Sequence, residues 1–263
     1  MNLISDSFNY TSQDHQEYED IGYKIFNPFL SKEGLESCRH ELDLMINGKL
    51  QPGRKPDEII SAHHQESWAW ELATHPKVLD MIEMQIGPNI VLWSSHLICK
   101  PPGSGMHIPW HQDAPYWNVS GGLAAGIWIA FDDVDASNGG MCILPRWHQR
   151  GVLPIAQRQA RLFNQEIDPS SLPKDIDQVK VQYRFKAGGM AIHNTMIPHT
   201  SEPNRSDRWR RVAVFRYVRA DGEHGPKEYE DYQTGKPFDR KFFLVRGEDV
   251  ANRNLPRTPF INH

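Results

Sequence analysis

The stretch Pro109-Trp110-His111-Gln112-Asp113 sets an imidazole and a carboxylate two positions apart, and Pro198-His199-Thr200-Ser201 supplies a second imidazole downstream. If the first stretch is a strand, side chains two apart share a face, so His111 and Asp113 point the same way. His199 then completes two nitrogens and one oxygen on one side of a metal. The remaining coordination positions stay open, which suits non-haem Fe(II) and oxygen chemistry. A His-x-Asp pair says little by itself in a chain with 13 histidines and 33 acids. The sequence around both segments decides its meaning.

Beyond Ser201 the chain continues Glu202-Pro203-Asn204-Arg205-Ser206-Asp207-Arg208-Trp209-Arg210-Arg211 into the apolar-rich run Val212–Val218. Before the His-x-Asp lies Cys99-Lys100-Pro101-Pro102-Gly103. After it, Asn138-Gly139-Gly140 runs into Ile143-Leu144-Pro145-Arg146-Trp147-His148. These co-linear pieces together resemble the phytanoyl-CoA dioxygenase family of Fe(II)/2-oxoglutarate oxygenases, over roughly residues 20 to 220. The resemblance implies a mainly β chain with flanking helices, folded as a double-stranded β-helix (a jelly roll of the cupin type) with the metal at its mouth.

The same resemblance implies that His111, Asp113 and His199 hold Fe(II). Arg210 stands eleven residues past His199, where the family pairs an Arg with the far carboxylate of 2-oxoglutarate, and Ser201 stands where a Ser assists. An Arg suits that carboxylate because its planar fork matches two oxygens. Arg211 would face the other side of the strand. Alternation on the strand before Lys100 brings Ser94, His96 and Ile98 to one face. Inward residues of that strand surround the cosubstrate in the family, so His96 is a pocket candidate, and Trp128 matches a family Trp near it. The implied reaction consumes O2 and 2-oxoglutarate, releases succinate and carbon dioxide, and hydroxylates a substrate C–H. In halogenating relatives the carboxylate position is Ala or Gly, so Asp113 points to hydroxylation.

Composition agrees with a folded globular chain. Of 263 residues, 39% are hydrophobic and 24% charged, which is ordinary for such proteins. A net charge of −4 gives no general attraction to nucleic acid. The arginines between 205 and 219 crowd together, but strand alternation divides them between faces. No apolar run is long enough for a membrane span, and Met1–Asp20 lacks a signal-peptide core. Three cysteines, Cys38, Cys99 and Cys142, read as buried thiols of a reducing compartment, with the cytoplasm as the expected location.

One domain over 1–263 is expected, with 1–20 as a mobile leader. Gly22–Phe26 reads as a short strand. Ser31 caps a helix closed by Gly48, and Thr74 caps a second ended by Gly87-Pro88. Gln51–Asp57 reads as a loop. Strands are expected at Ile90–Lys100, Leu123–Phe131, Met141–Leu144, Val179–Phe185, Met190–His193 and Val212–Val218. Residues 154–177, with a helix-like Gln157–Gln165, form an insertion that reads either as a lid or functional loop or as a plain surface excursion.

Other residues have simpler readings. His107 reads as a loop residue, His193 as a core or pocket-lining one, and His63-His64 as an exposed or loop pair. Lys100 can end its strand in solvent, and Tyr116 and Trp117 stand where substrate walls would. The polar candidates His96, His107, His193 and Asn194 suggest a small polar substrate, an amino acid or aminophosphonate. The alternatives are an acyl-CoA or natural-product hydroxylase of the same family, or a silent relative that binds metal and 2-oxoglutarate without turnover. The oligomeric state is open.

Overall fold

The computed structural model describes residues 2–50, 54–57, 59–117, 124–159, 164–225, 228–231 and 233–260, without the side chains of Tyr116, Trp117 and Ala124. The side chains of the expected substrate walls, Tyr116 and Trp117, are therefore not described, and the start of the expected loop at Gln51 and of the expected strand at Leu123 lie outside the described residues.

In chain order the helices are α1 (Ser12–Ile21), α2 (Lys32–Leu44), α3 (Ser67–Ala73), α4 (Pro76–Ile86), α5 (Asp113–Trp117) and α6 (Ile176–Val179). The strands are β1 (Tyr23–Phe26), β2 (Ile59–Ile60), β3 (Ile90–Lys100), β4 (Ile108–His111), β5 (Ala124–Ala130), β6 (Met141–Ile143), β7 (Ile155–Gln157) and β8 (Gln165–Ile167). They continue with β9 (Val181–Gln182), β10 (Met190–Asn194), β11 (His199–Ser201), β12 (Arg210–Arg219), β13 (Glu228–Glu230), β14 (Pro237–Asp239) and β15 (Phe243–Arg246).

Two antiparallel sheets face each other as a jelly roll. The larger has the order β1-β10-β5-β12-β3-β15, with β2 beside β3, and the smaller has the order β4-β11-β6-β9. Alternation along β12 explains the layering. Ala213, Phe215 and Tyr217 join the core beneath the helices, while Val212 and Val214 join a second core with Trp128, Met141, Ile143 and Tyr183 between the sheets. One face of the large sheet thus packs on helices, and the other looks into the roll.

The expected mobile leader is instead packed. Thr11 and Asp14 form a capping box at the start of α1, so two otherwise orphaned amides are satisfied. Leu3, Ile4, Phe8 and Tyr18 are buried in the helix-side core. Gly34 on α2 exists for this contact: a methyl on its Cα would come within 2.2 Å of the Leu3 carbonyl oxygen. Gly34→Ala is expected to cost about 1–3 kcal/mol and to lower the thermal midpoint by several degrees. An unchanged midpoint in calorimetry would show that the N-terminal segment yields freely.

Other local expectations are corrected. Ser31 does cap α2, accepting from the Gly34 amide, but the helix passes into a π-turn over Met45–Lys49, with Gly48 inside it. Thr74 ends α3, an unexpected helix, and His75 caps α4 with Pro76 in its first turn. Residues 160–163 of the expected helix lie outside the described residues, and its two ends, Gln157 and Gln165, pair with each other in the β7–β8 ladder. Val179 closes α6, leaving β9 at Val181–Gln182 and a single bridge from Phe185 to Val134. The three cysteines are free and buried, as expected. Among the described residues no helix is long and apolar enough to cross a membrane.

Candidate metal centre

His111 ends β4 directly opposite His199 at the start of β11, and their ring centroids lie 4.0 Å apart. Each Nδ1 faces the carbonyl oxygen two residues back, Pro109 at 2.9 Å and Ile197 at 3.0 Å. A carbonyl only accepts, so each Nδ1 carries the proton and each Nε2 keeps its lone pair for a metal. Asp113 Oδ1 lies 3.6 Å from His111 Nε2 and 3.9 Å from His199 Nε2. The three donor atoms fall within 4.8 Å of one another, the one such grouping of three among the described residues.

The residues meet as expected, but not by strand alternation. β4 stops at His111, and Asp113 opens α5. Gln112 fixes the turn between them. Its side chain donates to the Gly151 and Met196 carbonyls at 2.9 and 2.6 Å and accepts from the Leu153 amide at 2.8 Å. The Ala114 amide donates to Thr195 O at 3.0 Å, holding the start of α5 beside β10.

Asp113 Oδ2 faces a cation, Arg216 Nε, at 3.5 Å. Burial opposes ionisation of Asp113, but Arg216 and then the two imidazoles hold its carboxyl well below the usual carboxylate range. Burial, then the charge of His111, pushes His199 well below the ordinary imidazole value. A neutral His199 beside an ionised Asp113 is the protonation pattern a divalent cation requires.

Farther into the roll, Arg210 is 2% exposed, yet its Nε and Nη2 have no hydrogen-bond partner in the protein. Trp128 lies beneath it, 5.7 Å from guanidinium carbon to ring centroid. Arg211, one residue on, faces the other way and binds Asp132 and Asp43. Lys100 is directly opposite Arg210 on β3. The expected solvent-facing end of that strand is wrong, because Lys100 is 0% exposed. It reaches across to the small sheet, donating to Ser201 Oγ and to the Ser201 and Glu202 carbonyls at 3.2 and 2.5 Å. Burial, then Arg210, pushes Lys100 down to about 6.

The loop motifs set this geometry. Asn204 donates to the Lys100 and Arg208 carbonyls and accepts from the Ser206 amide, shaping the turn that leads into Arg210. Gly139 has φ +75°, and a methyl there would lie 2.3 Å from the Glu202 carbonyl oxygen. Only glycine lets the Asn138-Gly139-Gly140 turn press against the Lys100–Ser201 contact.

The other candidates divide clearly. His107 is a half-exposed loop residue near Glu202, outside the cluster. His193 is buried, with its ring 5.2 Å from that of His199. His63 is not exposed: it is 1% accessible and bonds Ser95 Oγ through Nδ1 at 2.7 Å. His96 stands four residues from Lys100 along β3, about 13 Å at the rise of a strand. It feels Arg216, Arg240 and Asp113, so it belongs near Asp113 and not beside Arg210. Lys100 and Arg216 are the residues sequence reasoning missed. Even spacing was the available signal, since Lys100 shares a face with Ile98, and Arg216 with Arg210.

Two imidazoles, one carboxylate with its second oxygen held away, and a buried guanidinium lacking an anion fit Fe(II) with 2-oxoglutarate. Fold and site together define a non-haem, 2-oxoglutarate-dependent oxygenase. The model of the phytanoyl-CoA dioxygenase (PhyH) family matches residues 18–212, and the chain belongs to that family. A probable alpha-ketoglutarate-dependent hypophosphite dioxygenase of Stutzerimonas stutzeri is 28% identical over 242 residues, covering 85% of this chain and 84% of that protein. The apo structure of the non-haem monooxygenase ThoJ superposes with a TM-score of 0.74 at 24% identity, over 93% of this chain and 87% of that one. The epimerase SnoN, solved with Fe3+, alpha-ketoglutarate and nogalamycin RO, gives 0.65 at 20% identity, over 80% and 84%. The chain is an iron- and 2-oxoglutarate-dependent dioxygenase.

Proposed function

We propose that this dioxygenase hydroxylates an unactivated C–H of a small polar metabolite of the amino-acid or aminophosphonate type, with succinate and carbon dioxide as coproducts. In this reading His111, Asp113 and His199 hold iron, Arg210 takes the far carboxylate of 2-oxoglutarate, and Ser201 and Lys100 flank it. Trp128 packs under Arg210, and His96 faces the substrate. When bound, the iron and oxo acid supply the oxygen-activating chemistry. The protein holds the substrate beside that centre and keeps water from it. The observation that carries the reading is Arg210, a buried cation whose Nε and Nη2 have no partner in the protein. The hypophosphite named for the S. stutzeri relative supports a small, anionic substrate over an acyl-CoA.

Fe(II) followed by 2-oxoglutarate, added anaerobically to the apo protein, is expected to produce a weak visible charge-transfer band that needs both additions. Iron binding without the band would remove bidentate chelation and with it this function.

Lys100 adds a pH signature. In the free protein it is mostly neutral above pH 6. A dianion bound beside it favours the charged form, so binding takes up protons and weakens as pH rises above about 6. Calorimetry at pH 8 in buffers of different ionisation enthalpy is expected to show proton uptake, absent in Lys100→Met. Uptake that persists in the variant would assign it elsewhere.

A further inference from the structure

Ser94 of β3, Arg216 of β12, Gly126 of β5 and His193 of β10 stand directly opposite one another, in a row across four strands of the large sheet. Opposed residues of neighbouring antiparallel strands project from the same face. That face is the one toward the metal centre, because Arg216 meets Asp113 and His193 packs on His199. The row thus runs directly beneath the three candidate ligands.

Its middle is open. A methyl built on Gly126 would meet no heavy atom within 4 Å, whereas Trp128 and Ala130, farther along the same face of β5, are buried in the core between the sheets. Its ends are polar and unsatisfied. Ser94 Oγ and His193 Nδ1 are buried without a hydrogen-bond partner in the protein, a cost that folded proteins rarely carry without a use. The fixed charge of the row is positive. Arg216 has five N–H donors, enough to engage Asp113 and a ligand oxygen together. Arg240 adds charge beyond His96, its guanidinium lying over the Trp93 and Tyr229 rings.

We infer that this row is the substrate head-group site, taking a small oxyanion over Gly126 between Arg216 and His193. Arg216 binds the anion, Ser94 Oγ donates to it, and His193 satisfies its ring nitrogen on the same group. The rest of the substrate then lies against the metal face. This inference rests on the hydroxylase reading above and gives it a charge and a location. Gly126 is the specificity-determining residue: its missing side chain is the room for the head group.

The test uses the anaerobic Fe(II)/2-oxoglutarate band of the full-length protein as its readout. The probes are methylphosphonate, phosphite, glycine and acetate, with methylammonium as the cationic control. At least one anion is expected to shift the wild-type band at millimolar concentration, and methylammonium is not. Which anions act separates phosphorus oxyanions from carboxylates. Gly126→Val is expected to keep the band and weaken the anion-induced shift at least about tenfold, as expected for loss of a fitted charged contact. Ser94→Ala, which removes one hydroxyl, is expected to act in the same direction and serves if the valine variant does not fold. Equal shifts in wild type and variants would overturn the site, as would a response to methylammonium alone or to no probe. Anions that erase the band would be displacing 2-oxoglutarate, which also overturns it. A wild-type protein that forms no band would overturn the hydroxylase reading itself, an outcome distinct from the others.

Discussion

His199→Ala is expected to abolish iron-dependent succinate release and to reduce Fe(II) binding to background, while His193→Ala keeps both iron and the 2-oxoglutarate band. The two rings are close, with centroids 5.2 Å apart, so proximity does not separate them. Orientation does. His199 has its Nδ1 proton engaged by the Ile197 carbonyl and its Nε2 toward Asp113 Oδ1, the arrangement of a metal ligand with an outer hydrogen bond. His193 has an Nδ1 with no partner and is no member of the three-residue cluster. Burial lowers His193 to about 4, so its ring is neutral at physiological pH. Fe(II) titration followed by absorbance decides the matter. Iron lost with His193 and kept without His199 would sink the proposed triad.

Arg210→Ala is expected to raise the 2-oxoglutarate concentration needed for half-maximal turnover by roughly 30-fold to 10³-fold, the range for truncating one partner of a buried charged pair. Arg211→Ala should leave that requirement nearly unchanged and cost about 1–3 kcal/mol of stability through its lost bonds to Asp132 and Asp43. Arg211 Nε and Nη2 bind the Asp132 carboxylate at 2.9 and 2.8 Å, so its charge already has a purpose outside the roll. Arg210 has a buried charge and no such acid. Steady-state kinetics with varied 2-oxoglutarate, beside thermal melts of both variants, separate the two roles. Equal kinetic effects would mean that the strand register does not decide which guanidinium meets the cosubstrate.

Several features were legible in the sequence because they depend on local period. The alternation of β12 separates Arg210 from Arg211, and in the structure they point to opposite sides of the large sheet. β3 appears at Ile90–Lys100 with the expected ends. The clustering of His111, Asp113 and His199 was also legible, through the motifs around them. Its geometric origin is different. Strand alternation predicted a shared face, whereas the chain turns at Gln112 and Asp113 opens a helix. Gln112 bonds to residues 151, 153 and 196, distant partners that no local pattern names.

The failures have a common origin. The polar segment before Tyr23 has the composition of a solvated leader, yet Leu3, Ile4 and Phe8 find an apolar surface built by α2 and the large sheet. Lys100 has the chemistry of a strand end, yet the facing sheet supplies Ser201 Oγ and two carbonyls that hold its amino group in the interior. Gln157 and Gln165 stand at the ends of a helical pattern, yet both pair as strand residues in the β7–β8 ladder.

The sequence by itself determined the residue types of the centre, their order along the chain and the opposite faces of β12 taken by Arg210 and Arg211, because side-chain alternation and motif spacing are properties of adjacent residues. Only the tertiary structure decided which strands stand side by side. That choice brought Ser94, Arg216, Gly126 and His193 into one row from positions scattered over 123 residues, and it buried Lys100 against Ser201. Strand order follows from how the whole chain closes its two sheets over a shared core, a balance of burial and hydrogen bonding that no single segment contains.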